Sequence, residues 1–362
     1  MQPGLSTSAA KPPNPAYSSA EGNFFQSLDF LEALQKAGWK TEYLKARTDD
    51  CEASVLAFAP SHVPIYHRLL PTYRVLYGPC VRKATATSDS AALSLLLREL
   101  CRRVRKSGAM LLTIATPFPF PYAYRAFREA GFTRVLLGYE YTVFIDLEKD
   151  LKTLWGNMKR FARRSIKKAV EKGLEVREVE TEAELEEFYR IYASTALRRG
   201  FQPFPFRFFD TMWNQLEPRG RAKFFMVWLE RKPIGGILNT FYGAESVPYI
   251  ACSLKDFWHY HPNHVLFWHS IKWSKDAVGS KVFKLYHLPS GKVNGNGIDY
   301  YTFKTCFGGH LAEERAFYHN ILSPTRYRLS QNIQRILKNW PDSVSPKRLV
   351  RRTYTFTSEQ GA

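Results

Sequence analysis

Hydrophobic and polar positions along the chain predict a mixed series of helices and strands. Apolar residues spaced three and four apart predict helices, and short apolar or alternating runs predict strands. In the first half, helices are predicted at 24–37, 90–106 and 122–130, and strands at 40–46, 54–60, 73–77 and 110–116, with 133–147 as one strand or a bent pair. The first half therefore reads as an α/β unit.

The second half continues in the same style. Helices are predicted at 182–198, 205–216, 264–278, 299–306 and 326–338, and strands at 174–179, 223–230, 234–242, 247–253, 282–285 and 310–317. The three closely spaced strands between 223 and 253 predict an antiparallel meander. This order resembles the fold of the GNAT-type N-acyltransferases. The first half is a shorter version of it, which predicts an α/β fold class (α+β mixed sheets) with two GNAT-like subdomains in tandem.

Composition divides the chain further. The first 22 residues are rich in Pro, Ser, Ala and Gly without periodicity, which predicts a disordered tail, and residues 353–362 predict a second one. Between the tails we expect a subdomain at 23–150, another at 151–325 that begins with a basic helix, and a basic C-terminal helix at 326–352.

The predicted hinge between the halves is one helix over residues 151–173. Its apolar positions form a single stripe. Its cationic side chains are Lys159, Arg160, Arg163, Arg164, Lys167 and Lys168, with no acid between Asp150 and Glu171. Such a run repels itself unless an anion relieves it, so either a polyanion binds here or the residues form a solvated basic face.

Charge and cysteine content restrict partners and location. Lys and Arg number 52 against 33 Asp and Glu, giving +19, which favours nucleic acid, a membrane surface or phosphorylated substrates. Five cysteines without close pairing suggest neither a disulfide framework nor a cysteine zinc site. No apolar run reaches the length of a membrane span. We expect a cytoplasmic protein, with peripheral contact to the inner face of the membrane left open.

Several short motifs follow one another in an order that one enzyme family shares. They are Tyr77-Gly78-Pro79, the run Tyr141–Leu147, Leu154-Trp155, the run Arg163–Gly173 followed by Val176, Thr195–Arg198, and Phe303-Lys304 with Phe307-Gly308-Gly309. Together they resemble the signature of the Fem-type peptidoglycan-bridge aminoacyltransferases, which have a GNAT-like fold. No single motif is specific, whereas the ordered set is.

The resemblance implies transfer of an amino acid from aminoacyl-tRNA to an amine on the stem peptide of a UDP-linked or lipid-linked peptidoglycan precursor. It places Lys304 at the acyl-transfer centre. The implied substrate-binding residues are Arg198, Tyr249, Phe303 and Tyr77, and the implied tRNA-binding residues are Arg163, Arg164, Lys167 and Lys168. Both substrates are polyanions, which would account for the excess positive charge.

The sequence also departs from the family. The segment 285–291, where an acidic and glycine-containing stretch often stands in the family, contains no acid, and the residues after Arg198 are unusually aromatic. These differences leave the acceptor open more than the fold.

Two rival functions stay open. An acyl-CoA-dependent N-acyltransferase would need a glycine-containing loop for the CoA pyrophosphate, but 257–264 reads FWHYHPNH. A non-catalytic RNA-binding protein would need only basic helices and exposed aromatic residues. A zinc site is one interpretation of His259, His261 and His264, but no zinc signature accompanies them. We therefore expect these histidines to line the cleft or cap the following helix. We predict no metal and no cofactor.

Overall fold

A computed structural model describes residues 23–48, 51–59, 70–83, 89–117, 123–135, 141–199, 201, 203–288, 300–313 and 315–338. Both predicted tails, and residues 339–352 of the predicted C-terminal helix segment, lie outside the described residues.

Fourteen strands are present in the described chain. They are β1 (Lys40–Thr48), β2 (Cys51–Ala59), β3 (Thr72–Leu76), β4 (Cys80–Lys83), β5 (Leu111–Pro117), β6 (Thr133–Val135), β7 (Tyr141–Asp146), β8 (Leu174–Glu178), β9 (Ala222–Leu229), β10 (Lys232–Tyr242), β11 (Glu245–Ser253), β12 (Val282–Leu288), β13 (His310–Glu313) and β14 (Arg315–Ile321). Except for the short β4, which lies outside the predicted runs, each strand corresponds to a predicted run or to part of one.

Helices cover these strands. They are α1 (Leu28–Lys36), α2 (Asp89–Lys106), α3 (Ala123–Glu129), α4 (Leu151–Asn157), α5 (Arg160–Glu171), α6 (Glu182–Arg199), α7 (Phe206–Thr211), α8 (Pro262–Asp276), α9 (Tyr300–Thr305) and α10 (Pro324–Lys338). Two 3-10 helices, Phe24–Gln26 and Lys255–Tyr260, and a π-helical turn at Met212–Leu216 complete the set.

The strands form two seven-stranded sheets with a common plan. The first has the order β1-β2-β3-β5-β14-β6, with β4 beside β2, and the second has the order β13-β7-β12-β11-β10-β9-β8. Each sheet has one parallel pair, β3 with β5 and β11 with β12, among antiparallel neighbours. The mixed α/β architecture with two similar units is thus confirmed.

The two halves exchange one strand each. β7 precedes residue 150 but lies beside β12 in the second sheet, and β14 lies beside β5 in the first sheet. Each exchanged strand is followed in its sheet by an edge strand, β13 and β6 respectively. The subdomain ranges remain predictions, but the sheets do not end where those ranges end.

An aromatic-rich core joins the halves. It combines Phe24, Phe25, Phe30 and Tyr77 from the first half with side chains such as Phe188, Phe208 and Tyr286 from the second. Separate cores lie under the first sheet, against α2 and α3, and under the second sheet, against α5 and α8. The contact between halves is therefore an apolar core and not a flexible hinge.

Three predicted elements are not continuous in the structure. The stretch 24–37 breaks at Ser27, whose hydroxyl accepts a 3.1 Å hydrogen bond from Phe30 N and so starts α1. The helix predicted over 151–173 breaks at Met158 and Lys159, which are extended. The strand predicted at 310–317 divides between the two sheets, and periodicity did not reveal that break because both pieces are strand-like. Of the two alternatives for 133–147, the structure has two strands, which lie in different sheets.

Candidate active site

The parallel strands β11 and β12 separate along their length. Their described ladder joins Glu245 with Val282 and Ser246 with Phe283 and extends no further. We call the space between the later residues, 247–253 of β11 and 284–288 of β12, the strand split. At its narrow end Lys284 and Glu245, both buried, form an ion pair of 2.6 Å.

A cation from a helix contacts each strand beyond the narrow end. Lys304 of α9 donates from Nζ to the carbonyl oxygen of Tyr286 in β12. Arg198 of α6 donates from Nη2 to the carbonyl oxygen of Ser253 at the end of β11, at 3.2 Å. Each strand that borders the split therefore has a carbonyl oxygen bound by a cationic side chain.

Lys304 is almost completely enclosed, with 7% of its surface exposed. Charged side chains are almost never buried to this degree unless they are paired. Tyr286, its partner, lies where the pairing of β12 with β7 is irregular, between Leu285 and Leu288. The structure thus holds the predicted catalytic Lys304 against β12, one of the two strands that border the split, whereas its role in chemistry stays a prediction.

The segment after Lys304 is fixed by close backbone approach. Gly308 and Gly309 both have positive φ, 86° and 83°. A Cβ on Gly309 would lie 2.4 Å from the carbonyl oxygen of Phe144 in β7, which no side chain tolerates. The Gly-Gly pair therefore allows the segment that follows α9 to pack directly against the second sheet.

Aromatic rings connect Lys304's partner with the first half. The rings of Tyr77 and Tyr286 are 4.2 Å apart between centroids. Phe25 lies within 5.3 Å of Tyr77 and 5.1 Å of Tyr249. The structure therefore brings Tyr77 and Tyr249 into one aromatic group beside the split, joined by Phe25, which the sequence did not single out.

The backbone of Tyr77 has a left-handed conformation, with φ of 53°. For a non-glycine residue this conformation costs about 1–2 kcal/mol. The Asn23 side chain stabilises it by donating a 2.7 Å hydrogen bond to the Tyr77 carbonyl oxygen. Its ring is thereby fixed over Tyr286 and is 3% exposed.

His264, near the start of α8, packs against the Phe-Lys motif. Its ring lies 5.1 Å from that of Phe303 and 6.1 Å from that of Phe307. Its Nε2 is buried without a hydrogen-bond partner in the described structure. Burial, with a smaller effect of His261, lowers the pKa of His264 to about 4. No side-chain hydrogen bond caps α8, so His264 does not take the capping role expected for this loop and packs in the core beside Phe303.

Arg198 lies at the far end of β11. Besides Ser253 it contacts Thr195, and its guanidinium carbon is 5.0 Å from the Trp258 ring centroid. Burial, then the charge of Arg199, lowers its pKa. The predicted substrate-binding role of Arg198 remains a prediction, and the structure adds that it anchors the end of β11.

The four predicted tRNA-binding residues divide into two groups. Arg163 is half-buried, and its Nη1 donates to the carbonyl oxygens of Trp155, Gly156 and Met158, where α4 ends. Arg164, Lys167 and Lys168 are exposed on α5. Arg163 thus stabilises the junction of the two helices, and the other three form, with Arg160, one basic stripe.

Sequence analysis did not identify Lys159, Trp258 or Tyr260 as neighbours of the site. Lys159 N donates a 2.9 Å hydrogen bond to Cys306, and the two aromatic residues lie in the turn before α8. An aromatic run between a strand and a helix was the available signal.

No helix among the described residues is long and apolar enough to cross a membrane, and these residues form no group of three metal ligands.

Comparisons with known proteins agree with this fold. Residues 156–290 match the acetyltransferase (GNAT) domain family. The crystal structure of FemX superposes with a TM-score of 0.63 at 17% identity, covering 85% of this chain and 94% of FemX. No curated protein sequence matches the chain.

Two further solved structures share the fold. A tandem GNAT protein from the clavulanic acid biosynthesis pathway gives a TM-score of 0.55 at 10% identity, covering 82% of this chain and 88% of its own. The C-terminal domain of a putative lysylphosphatidylglycerol synthetase from Agrobacterium fabrum gives 0.53 at 15%, covering 86% and 92%. The chain is a tandem GNAT-fold protein with the architecture of FemX, and its residues 156–290 are similar to the acetyltransferase (GNAT) domain family.

Proposed function

We propose that this protein is an aminoacyltransferase that moves an amino acid from an aminoacyl-tRNA to an amine of a peptidoglycan-precursor stem peptide. The observation that carries the proposal is the buried Lys304, held by the Tyr286 carbonyl oxygen against β12, one of the two strands that border the strand split. An aminoacyl ester is already activated, so the enzyme must orient an amine and stabilise the oxyanion that forms. A fixed ammonium group supplies that stabilisation.

The acyl group passes directly from the tRNA to the acceptor amine, without an acyl-enzyme intermediate. The neutral amine nitrogen of the acceptor attacks the ester carbonyl carbon, and the resulting oxyanion is stabilised by Lys304. The ester C–O bond then breaks, and the ribose hydroxyl of the tRNA leaves with the proton that the amine loses. Cys306, two residues from Lys304, is unsuited to carry the acyl group, because burial raises the pKa of its thiol to about 12.

Two features favour an RNA ester over acyl-CoA as donor. The exposed stripe of Arg164, Lys167 and Lys168 on α5 suits a phosphate backbone. At the start of α8, Pro262 has no N–H group, and the sequence from Phe257 to His264 contains no glycine. Backbone N–H groups in a glycine-lined turn, which would hold a pyrophosphate, are thus replaced by side chains.

The acceptor is assigned by the resemblance to Fem-type enzymes and by the first-half residues at the split. Tyr77 and Tyr249 would line the acceptor side, and Arg198 would hold a phosphate or carboxylate. Such an acceptor places the protein in the cytoplasm, in peripheral contact with the inner membrane face when the precursor is lipid-linked. Phosphatidylglycerol is the rival acceptor to include, because a structure with the same fold is named as a putative lysylphosphatidylglycerol synthetase.

The test is a transfer assay with the full chain. Labelled aminoacyl-tRNAs, or labelled acetyl-CoA, are supplied with UDP-linked precursor, lipid-linked precursor or phosphatidylglycerol. Label moving from aminoacyl-tRNA to a precursor, and lost in Lys304→Met, is the expected result. Lys275→Met is the matched control, because Lys275 also donates to a backbone carbonyl, that of Leu147 at 2.8 Å, and should transfer normally.

Each other outcome names a different function. Transfer from acetyl-CoA alone identifies an acyl-CoA-dependent enzyme, and label in phosphatidylglycerol identifies a lipid-modifying one. RNA binding without transfer to any acceptor, together with unchanged biological activity of Lys304→Met in cells, identifies a non-catalytic RNA-binding protein. All three contradict the proposal.

A further inference from the structure

The 3-10 turn Lys255–Tyr260 holds three aromatic side chains, and each has a cation over its ring. Arg198 from α6 lies 5.0 Å from the Trp258 centroid, and Lys232 from β10 lies 4.8 Å from that of Phe257. Lys172, just after α5, lies 4.7 Å from that of Tyr260. Three separate elements therefore converge on one short turn with positive charge, and we call this surface the aromatic turn.

The three aromatic side chains of the aromatic turn differ in how far they are exposed to solvent. Trp258 is 43% exposed, and Phe257 and Tyr260 are half-buried. Trp258 is oriented by its indole N–H, which donates a 3.0 Å hydrogen bond to Ser253 Oγ. The turn's own charges, Lys255 and Asp256, are of opposite sign, so the surrounding cations decide the sign of the surface.

The aromatic turn is continuous with the basic stripe on α5. Lys172 follows Lys168 by four residues, and its Nζ lies over the Tyr260 ring of the turn. Burial, and then the charges of Lys168 and Lys172, lowers the pKa of His261, which ends the turn and precedes α8. Lys172 therefore joins the stripe of Arg164, Lys167 and Lys168 to the aromatic turn.

The aromatic turn also leads to Lys304. The rings of His261 and His264 are 5.6 Å apart, and that of His264 is 5.1 Å from Phe303, the neighbour of Lys304. The turn is thus connected to Lys304 through the contacting side chains of His261, His264 and Phe303.

We infer that the aromatic turn binds the unpaired 3′ nucleotides of an RNA by stacking on Trp258 while Lys172 and Lys232 hold the phosphates. Stacked aromatic residues combined with cations are how proteins bind single strands without reading sequence. This inference rests on the proposed function and deepens it. The stripe on α5 holds the paired part of the tRNA, and the turn holds the end that carries the amino acid.

A membrane surface is the weaker occupant. Membrane anchoring requires apolar side chains that project beyond the surface. Here Phe257 and Tyr260 are half-buried and each ring is covered by a cation, so Trp258 alone projects from the turn. A planar base can stack on a ring that is exposed to the extent that Trp258 is.

The test compares two RNA hairpins, one blunt and one with a few unpaired 3′ nucleotides, by fluorescence anisotropy with the full chain. We expect the tailed hairpin to bind about tenfold more tightly, as one or two stacked bases would give. Trp258→Ala should abolish that difference and leave the affinity for the blunt hairpin unchanged. Tyr124→Ala, which removes an aromatic residue 54% exposed on α3, is the matched control and should keep the difference.

A second variant separates stacking from the indole hydrogen bond. Trp258→Phe keeps a ring but loses the bond to Ser253, and it should retain most of the tail preference. A tail preference that survives in Trp258→Ala, or is lost equally in Trp258→Phe, overturns the inference. Binding to anionic vesicles that is lost in Trp258→Ala, with RNA binding unchanged, would assign the surface to a membrane and also overturn it.

The same variants keep this inference distinct from the proposed function. Transfer from aminoacyl-tRNA with an unchanged KM for the tRNA in Trp258→Ala would support the function and reject the aromatic turn as its RNA site. Tail-dependent RNA binding by a protein that transfers nothing would support the turn and reject the function.

Discussion

The backbone N–H of Lys159 donates a 2.9 Å hydrogen bond to the carbonyl oxygen of Cys306. The bond ties the break between α4 and α5 to the segment that carries Lys304. A continuous helix would direct this N–H at the carbonyl four residues earlier and leave Cys306 without it. The break is therefore what connects the basic stripe to the candidate active site.

Arg163 and Arg164 are neighbours in sequence with different surroundings, and they allow a matched comparison. Arg163→Gln removes donors to three carbonyl oxygens at the end of α4 and should lower the free energy of unfolding by about 1–3 kcal/mol. Arg164→Gln, on the exposed face, should change it by less than about 0.5 kcal/mol.

The two variants should differ in the opposite order in RNA affinity, with Arg164→Gln causing the larger loss. Arg164→Gln should weaken RNA binding and reduce the slope of log affinity against log salt by about one. Denaturant unfolding and salt titration measure the two effects. Equal loss of stability in both variants would contradict the assigned role of Arg163.

Gly309 is expected to tolerate no side chain. Its φ of 83° and the 2.4 Å approach to the Phe144 carbonyl oxygen act together in Gly309→Ala. Gly173→Ala separates the two effects, because Gly173 has φ of 81° with nothing within 4 Å of the added methyl group. We expect Gly173→Ala to cost about 1–2 kcal/mol and Gly309→Ala clearly more.

Activity provides a second measurement of the same pair. The displaced segment contains Lys304, so Gly309→Ala should also lower kcat, whereas Gly173→Ala should not. Urea midpoints at equal m-values give the stability order. Equal costs in the two variants would show that the contact with β7 is not close.

The buried pair Lys284–Glu245 should behave as a unit. Removing one member, in Lys284→Met or Glu245→Gln, is expected to cost about 3–5 kcal/mol, because the other charge stays in a dry site. Replacing both, in Lys284→Met with Glu245→Leu, should recover most of that loss. A double-mutant cycle measures the coupling energy, and additive losses would mean that the pair does not hold the narrow end of the split.

Much of the fold was predictable from the sequence, because helix and strand periods are local. The meander β9-β10-β11 and the helices α2, α6 and α8 follow from apolar spacing alone. The exchange of β7 and β14 was not predictable in this way. Pairing between strands distant in the sequence depends on which sheet has room beside β5 and β12, and no local pattern records it.

The candidate site was predictable in part for a similar reason. The resemblance supplied Lys304 and Tyr77, and the structure brings both to Tyr286. It did not distinguish Arg163 from Arg164, since a guanidinium that binds helix-end carbonyls and one that faces solvent look alike in sequence. Such roles depend on where the helix breaks, which Lys159 and Cys306 determine across a long sequence separation.

The last prediction concerns pH. In the folded protein burial lowers the pKa of His264 from its ordinary value of 6.5 to about 4, with His261 as the nearby titratable group that adds to the effect. The ring is therefore neutral when folded, and the unfolded chain takes up the proton first as pH falls. The His264 contribution to stability is complete above about pH 6.5 and is lost between pH 6.5 and 4, a change of about 3 kcal/mol.

His264→Leu, which keeps an apolar side chain beside Phe303, should remove that part of the pH dependence. Urea unfolding at a series of pH values from 7 to 4 measures the free energy of unfolding for both proteins. The free energy of unfolding of the wild type minus that of His264→Leu should fall steadily toward low pH, because only the wild type loses this contribution. Parallel curves across that range would mean that the His264 ring reaches a proton-stabilising partner in the folded protein, and its packing against the Phe-Lys motif would need to be reassigned.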